Sequence, residues 1–209
     1  MSKTLWHCGG ARSLRVLWTL EELGLDYELV VLPFPPRMFD RRFLDINSLG
    51  TVPYFTQGDV EMTESVAICQ YLAERDPAQA LAVAREDAQY AAYLNWLQHA
   101  DATLTFPQTI VLRYTYLEPG PGKTAIAEDY ARWFIARLRR LDAHLESHDY
   151  LVDERFTVAD IAVGYALYLG RSLKLDDRYK PQTRAYLERL LARPALQRAD
   201  AMAPALDLQ

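Results

Sequence analysis

A short proline-containing segment constrains this chain more than any other feature of its sequence. Residues 49–55 (LGTVPYF) leave a loop and enter a run of β-branched and aromatic residues, which predicts a strand. Pro53 stands at the beginning of that strand, where its missing N–H is tolerated, and it pushes Val52 towards an extended backbone. If the Val52–Pro53 bond is cis, the backbone N–H and C=O of Val52 can serve a partner other than the sheet.

A helix start follows this strand closely. Residues 62–65 (MTES) end the next strand and open a helix predicted from Ser65 to about Arg75. The first turn of a helix has free N–H groups and the positive end of the dipole, and with the Ser65 hydroxyl these suit a carboxylate. Glu64 supplies an anion for an ammonium group. The two segments together suit a small zwitterionic peptide.

The residues before this segment predict a strand, a helix and a strand. Residues 3–7 predict the first strand, Ser13 is expected to cap the helix, and residues 27–32 predict the second strand. This order indicates a βαβ unit with parallel strands. Residues 37–46 predict a second helix or an irregular loop, and residues 53–63 predict a β-hairpin around Gly58.

The motifs LGTVP (residues 49–53) and TESVAICQYL (residues 63–72) resemble the glutathione-binding signature of the soluble glutathione transferases, of a bacterial type. The likeness extends over nearly the whole chain. It implies an α/β thioredoxin-like N-terminal domain (1–77), a linker (78–84) and an all-α helical C-terminal domain (85–209) that carries the electrophile site. It also implies glutathione as co-substrate and a homodimer.

The resemblance assigns roles to the residues of the two motifs. The Val52 backbone, before Pro53, pairs with the cysteinyl unit of glutathione. Ser65 and the helix start hold the γ-glutamyl carboxylate, and Glu64 lies near the ammonium group. The family places a basic group before the loop for the glycyl carboxylate, and Arg37 or Arg42 could serve. The family loop often has a proline where Ser48 stands, a small departure.

The turn after the first strand is where a group that stabilises the glutathione thiolate should lie. A cysteine-type thiol has a pKa of about 8.5, so little of it is ionised at neutral pH. Many relatives have Ser or Tyr in this turn, but residues 9–11 are Gly-Gly-Ala. Ser13 is the nearest hydroxyl, as helix cap, thiolate donor or both. Arg12 either adds positive charge or is a solvated surface residue.

Cys8 opens the same turn and leaves a second enzyme class open. Relatives with a catalytic Cys place it near this position and use it for thiol–disulfide exchange or for removing glutathione from adducts. The simpler interpretation is a small buried residue, which we favour. Ala11 stands where the second cysteine of a Cys-x-x-Cys motif beginning at Cys8 would be, so a two-Cys redox enzyme is not predicted. Cys69 is assigned to the core side of a helix.

The second half of the chain predicts helices throughout. A long helix is predicted to start near Tyr90, and Pro107 is expected to kink or end it. A further helical piece is predicted to reach about Tyr116. The sequence PGPG (residues 119–122) is the clearest break, and helices follow over about 124–146, 158–169 and 182–192. Thr157 and Asp160 form a capping box that starts an almost wholly apolar, buried helix.

Aromatic residues predict an apolar cleft for the electrophile. The candidates are Phe34 in the first domain and Phe106, Tyr114 and Tyr168 in the second. Most of the aromatic residues of the helical half are expected to be core, and the pattern does not say which of them face a cleft.

Composition excludes several other function classes. The net charge of −5 over 209 residues gives no basic patch, which argues against nucleic-acid binding. Two cysteines without framework spacing fit a reducing compartment, and no signal peptide or membrane-spanning stretch is recognised, so a cytoplasmic location is expected. The four histidines have no metal-ligand spacing, and no metal is predicted.

The leading hypothesis is a cytoplasmic glutathione transferase that activates the glutathione thiol against an apolar electrophile, in detoxification. One alternative is a Cys8-dependent thiol transferase or glutathione lyase, or a glutathione-dependent isomerase. Another is a non-catalytic module that keeps the fold for protein association.

Overall fold

A computed structural model describes residues 2–152 and 154–203. The chain divides into two compact units. One comprises the chain up to Ala82 together with the segment that begins at Ala192, and the other comprises Val83–Leu191. The expected domain limits differ from these units chiefly in the C-terminal segment, which the sequence analysis assigned to the helical domain.

The first unit contains a four-stranded mixed sheet. Its strands are β1 (Lys3–His7), β2 (Glu28–Val31), β3 (Tyr54–Gln57) and β4 (Val60–Met62), in the order β2-β1-β3-β4. β1 and β2 are parallel, whereas β3 is antiparallel to both β1 and β4. The sheet therefore confirms the predicted βαβ unit and hairpin of the thioredoxin-like fold.

Helices cover this sheet and bury its apolar residues. They are α1 (Ser13–Glu22), α2 (Pro36–Phe39) and α3 (Ser65–Arg75), and a 3₁₀ segment spans Arg41–Asp45. α1 packs against α3 and against β1. Leu5 and Phe55 face each other across β1 and β3, and both are fully buried. Residues 37–46, expected as a helix or an irregular loop, thus form two short helical pieces.

A C-terminal helix completes the first unit. α10 (Pro194–Ala201) packs against α1. Arg193 binds both carboxylate oxygens of Glu22, through Nε at 2.6 Å and Nη2 at 2.8 Å. Arg198 Nε donates to Glu21 Oε2 at 2.7 Å. These two ion pairs explain why the C-terminal segment joins the first unit and not the helical one.

The second unit is helical. Its helices are α4 (Tyr90–Gln98), α5 (Phe106–Leu112), α6 (Lys123–Arg137), α7 (Arg139–His144), α8 (Val158–Ser172) and α9 (Pro181–Leu191). Within its described residues, the β-structure consists of one isolated bridge between Val152 and Arg155. The all-helical prediction for this half is confirmed.

The helical path around Pro107 differs from the expectation. The residues between α4 and α5, His99–Thr105, and those after α5, Arg113–Leu117, form wider helical turns. Pro107 lies in the first turn of α5, directly after these wider turns, and helical structure continues on both sides of it. The helix therefore does not end at Pro107, and a kink there stays a prediction.

α8 forms the centre of the second unit, and its capping box is the one predicted. The Thr157 N–H donates to Asp160 Oδ2 at 2.8 Å, and Thr157 Oγ1 caps the first turn of the helix. Asp160 also accepts from Leu151 N–H at 3.0 Å and from the Tyr186 hydroxyl at 2.7 Å. Burial raises the pKa of Asp160 to about 6 in spite of these donors.

Among the described residues, the helices are too short or too polar to cross a lipid bilayer.

Candidate functional site

The N-terminus of α3 presents unoccupied backbone donors. Glu64 precedes the helix in an extended conformation and is exposed, whereas Ser65, the first helical residue, is 4% exposed. In the described part of the chain, the N–H groups of Ser65 and Val66 meet no hydrogen-bond acceptor. This turn offers two N–H donors, the positive end of the helix dipole and a serine hydroxyl to a carboxylate.

A buried arginine that the sequence analysis passed over lies against the same serine. Arg15 is in α1 and is 0% exposed, and its Nη1 donates to Ser65 Oγ at 3.0 Å. The available sequence signal was a charged residue inside the apolar stretch Leu14–Leu17 of a helix whose central residues are all buried.

The loop before β3 leaves its last main-chain groups open. The Val52–Pro53 peptide bond is cis. This is the isomer with which the main chain of Val52 was expected to serve a partner other than the sheet. Across residues 2–152 and 154–203, no hydrogen bond engages the backbone N–H or C=O of Val52. Asn47 holds the loop from within, since its side chain donates to the Thr51 carbonyl at 2.9 Å and accepts from Leu49 N–H at 3.1 Å.

Gly50 brings Arg37 to this loop. Gly50 has a φ of +59°, and a Cβ there would lie 2.8 Å from the Cβ of Arg37 and 2.7 Å from Leu44. Only glycine fits this close approach. Arg37 is exposed and has no acidic partner among the described residues, whereas Arg42 is paired with Asp40 at 3.2 Å. Of the two basic candidates, Arg37 is thus the one whose charge is not already neutralised.

Family models match both halves of the chain. The N-terminal domain of glutathione S-transferases matches residues 1–74, and the C-terminal domain of glutathione S-transferases matches residues 114–194. The chain belongs to the soluble glutathione S-transferase family. Glutathione is the co-substrate of this family, and its members are transferases.

Relatives and solved structures agree with this assignment. Glutathione S-transferase 3 of Zea mays is 29% identical over 203 residues, which cover 91% of this chain and 89% of the relative. The ternary complex of BphK, a bacterial glutathione S-transferase, superposes with a TM-score of 0.83 at 26% identity and covers 95% of this chain and 98% of that one. A sphingomonad glutathione S-transferase complexed with glutathione gives a TM-score of 0.81 at 27% identity, with coverage of 95% and 97%.

The β1–α1 turn of this glutathione S-transferase holds the residues predicted to stabilise the thiolate of glutathione. Arg12 is the N-cap of α1 and is half-buried, and Ser13 is the first helical residue. The expectation that Ser13 caps the helix was wrong, because its hydroxyl points back to Cys8. Ser13 Oγ accepts from Cys8 N–H at 3.2 Å and donates to the Cys8 carbonyl at 3.4 Å.

Cys8 lies in the same turn but is withdrawn from solvent. It is 0% exposed, and its thiol donates to the Pro33 carbonyl at a distance of 3.6 Å. Burial raises the pKa of the Cys8 thiol to about 12. A neutral buried thiol is a poor nucleophile, so the geometry agrees with a packing role. Cys69 is likewise unpaired and fully buried in α3.

The aromatic candidates for the electrophile site lie in different surroundings. Phe34 is half-buried in the first unit. Phe106 is 47% exposed and lines a cleft of about 500 Å³ within the second unit, together with His99 and Trp133. Tyr114 lies beneath the Lys123 ammonium group, and Tyr168 stacks on Tyr165.

Within the described residues, no group of three or more His, Cys, Asp or Glu side chains is arranged to hold a metal ion.

Proposed function

We propose that this protein is a glutathione transferase that binds glutathione in its first unit and directs the glutathione thiolate at an apolar electrophile, in the detoxification of such compounds. One observation carries the proposal: the open N-terminus of α3 and the unengaged main chain of Val52 belong to one loop–hairpin–helix segment. Glutathione has a carboxylate and an extended backbone to match them.

The γ-glutamyl end of glutathione binds at α3. Its carboxylate accepts from the N–H groups of Ser65 and Val66 and from the Ser65 hydroxyl, in the field of the helix dipole. Its ammonium group pairs with Glu64, whose carboxylate is exposed. Charge-assisted hydrogen bonds of this kind are about twice as strong as neutral ones, so this end supplies much of the affinity.

The rest of the tripeptide binds along the loop before β3. The cysteinyl unit pairs its backbone with the N–H and C=O of Val52, as one more strand would, with Pro53 directing the chain. The glycyl carboxylate pairs with Arg37, which the close packing at Gly50 holds beside this loop. The absence of an acidic partner for Arg37 in the described structure supports its choice over Arg42.

The β1–α1 turn stabilises the thiolate. To lower the pKa of the glutathione thiol by one unit, the site must bind the thiolate more tightly than the thiol by about 1.4 kcal/mol. The positive charge of Arg12 and the start of α1 supply this stabilisation, and Ser13 is the hydroxyl candidate. The thiol proton passes to solvent. The sulfur forms a bond to the electrophilic carbon, and the leaving group departs with its electron pair.

We further infer that the protein is a cytoplasmic homodimer. Both cysteines are unpaired, as in proteins of a reducing compartment. Exposed apolar residues on each unit supply surfaces for association, among them Leu49 and Trp133.

The test is the rate with an aryl halide and glutathione, together with calorimetry of glutathione binding. For Ser65→Ala and Glu64→Gln, we expect the KM for glutathione to rise roughly tenfold, because each variant removes a charge-assisted hydrogen bond. Ser147→Ala, an exposed serine of the second unit, is the control and keeps the wild-type values. Wild-type protein that does not bind glutathione would overturn the proposal.

Ser13 is tested separately from the function. If Ser13 donates to the thiolate, Ser13→Ala lowers kcat and raises the pKa of bound glutathione, which ultraviolet absorbance of the thiolate measures. An unchanged rate removes Ser13 from the mechanism and leaves Arg12 and the helix start as the stabilising groups.

A further inference from the structure

Asn47 is a buried polar residue in a loop whose neighbouring residues are exposed. It is 5% exposed, whereas Ile46 and Leu49 are exposed. Its own backbone is anchored at both polar groups, since the N–H donates to the Phe43 carbonyl at 2.8 Å and the carbonyl accepts from Gly50 N–H at 2.8 Å. A buried amide side chain is costly unless it is hydrogen-bonded, so its contacts indicate why it is there.

The side chain of Asn47 uses both ends of its amide on the residues just before Val52. Nδ2 donates to the Thr51 carbonyl at 2.9 Å, and Oδ1 accepts from Leu49 N–H at 3.1 Å. These two contacts require a donor and an acceptor on one short side chain, which asparagine has. An aspartate of the same size lacks the donor, and a leucine lacks both groups.

The contact with Thr51 also sets the direction of the Val52 N–H. The Thr51 carbonyl and the Val52 N–H belong to one planar peptide unit. This unit is trans, because the cis bonds of the described residues are those before Pro35 and Pro53. In a trans unit the N–H points opposite to the C=O. Since Asn47 holds the carbonyl, the Val52 N–H is directed away from Asn47.

A main-chain donor that is held in one direction suits a ligand. Within the described residues, the Val52 N–H meets no acceptor of the protein. In the proposed function, the cysteinyl carbonyl of glutathione accepts from it. A donor that is already fixed loses little conformational freedom when the ligand binds. Because the cysteinyl residue also bears the reacting sulfur, the direction of this N–H affects where the sulfur lies.

We propose that Asn47 is a positioning residue for the cysteinyl unit of glutathione: by holding the Thr51 carbonyl, it directs the Val52 N–H at the cysteinyl carbonyl and so fixes the place of the sulfur. This inference rests on the proposed function. It extends that function to a side chain that acts only through the main chain of its own loop.

The experiment compares wild-type protein with Asn47→Asp in the aryl halide assay. The variant keeps the size of the side chain and the acceptor for Leu49 N–H, and it removes the donor to Thr51. We expect the KM for glutathione to rise about fivefold and kcat to fall about tenfold, because binding and the place of the sulfur both depend on the Val52 N–H. Ser65→Ala, remote from the sulfur, raises the KM with little change in kcat.

Asn95→Asp is the matched control. It is the same substitution at the only other asparagine of the chain, and Asn95 is exposed on α4 in the second unit. We expect this variant to keep the wild-type KM and kcat. A fall in kcat of the same size in Asn95→Asp would mean that the added charge, and not the lost contact with Thr51, is responsible, which overturns the inference.

Amide hydrogen exchange separates positioning from stability. We expect saturating glutathione to slow exchange of the Val52 N–H about tenfold or more in wild type and to leave it unprotected in Asn47→Asp. A merely structural residue would not affect this protection. If Asn47→Asp melts at a lower temperature but keeps the wild-type kcat, KM and Val52 protection, Asn47 is a structural residue and the inference is overturned.

Two further measurements separate the possible failures. Wild-type protein that does not bind glutathione overturns the proposed function and this inference with it, whereas unchanged constants in Asn47→Asp, with a raised KM in Ser65→Ala, overturn only the role of Asn47. If Asn47→Asp does not fold, the wild-type side-chain amide decides. Coupling is reciprocal, so glutathione should slow exchange of the Asn47 Nδ2 protons, and exchange that saturating glutathione leaves unchanged overturns the inference.

Discussion

The reactivity of the Cys8 thiol distinguishes the transferase hypothesis from the hypothesis of a Cys8-dependent enzyme. Its thiol has no exposed surface, and burial raises its pKa to about 12. We expect iodoacetamide at about pH 8 to leave Cys8 of the native protein unmodified, because the thiol and not the thiolate is present. The urea-unfolded chain reacts at both Cys8 and Cys69. Mass spectrometry of the two samples measures the difference.

The same residue makes a prediction for activity. Cys8→Ala keeps a small apolar side chain in the turn, so the rate with an aryl halide should stay within about twofold of wild type. A mixed disulfide between glutathione and Cys8 in the native protein, or loss of activity in a folded Cys8→Ala variant, would favour the thiol transferase or lyase instead.

His7 predicts how stability depends on pH. It is 1% exposed, and burial lowers its pKa to about 4 from about 6.5. The unfolded chain binds this proton first as the pH falls, so the stability due to neutral His7 is full above about pH 6.5 and is lost towards pH 4. The loss is about 3 kcal/mol, at about 1.4 kcal/mol for each unit of pKa difference.

The His7→Phe variant isolates this dependence. Asp160 acts in the opposite sense, because its raised pKa of about 6 makes the folded state retain a proton that the unfolded state loses between about pH 4 and 6. Urea unfolding of both proteins at several pH values gives the difference in free energy of unfolding. The free energy of unfolding of wild type minus that of His7→Phe should be about 3 kcal/mol larger at pH 7 than at pH 4. A constant difference would mean that His7 does not titrate on unfolding.

The direction of individual polar groups was the part of the site that the sequence did not reveal. Serine before an apolar periodic run predicts a helix cap, yet Ser13 lies one residue inside α1 and bonds Cys8. Arg15 was not considered, because a single charge within a helix has no spacing that assigns it a partner 50 residues away. Both outcomes depend on how α1 packs on its neighbours, which a local pattern does not encode.

At the scale of elements, α8 depends on its first turn. Thr157 caps the helix and Asp160 completes the box, all of it buried. Thr157→Ala should lower the free energy of unfolding by about 1 kcal/mol for the cap alone. For a chain of this size that corresponds to a melting temperature about 2–4 °C lower. Thr157→Ser retains the hydroxyl and should lose much less, and equal losses in both variants would mean that the methyl group and not the cap is responsible.

Elements with local signals were predicted best. The Thr157–Asp160 box and the glycines around residue 120 act within a few residues, so the starts of α8 and α6 follow from the sequence. Pro107 does not end the helical run, which was one of the two effects expected of it. The wider turns at His99–Thr105 leave it in the first turn of α5, and proline alone does not predict them.

At the scale of the molecule, contacts distant in sequence determine which segments belong together. Arg193 and Glu22 are 171 residues apart, and their ion pair ties α10 to α1. Both side chains are partly buried, at 29% and 10% exposure, so each also loses solvent on pairing. No composition shift marks residue 192, and a boundary drawn from linkers therefore left α10 with the helical half.

The apolar surface of the first unit leads to a prediction about assembly. Residues 38–49 expose Met38, Phe39 and Leu49 by 65%, 66% and 59%, on a segment whose loop Asn47 holds in place. Exposed apolar groups of this density in a soluble protein mark an interaction surface, and a second copy would remove them from water. We therefore expect light scattering to give twice the chain mass of 24.0 kDa.

Leu49→Glu tests whether this surface holds the dimer together. A carboxylate placed in an apolar interface is desolvated without a partner, which costs several kcal/mol and should shift the protein towards 24.0 kDa at micromolar concentration. Val31→Glu, at a residue 45% exposed on β2 outside residues 38–49, is the control and should keep the wild-type mass. A Leu49→Glu protein that remains a dimer would show that association uses another surface, and a monomeric wild type would remove the dimer from the proposal altogether.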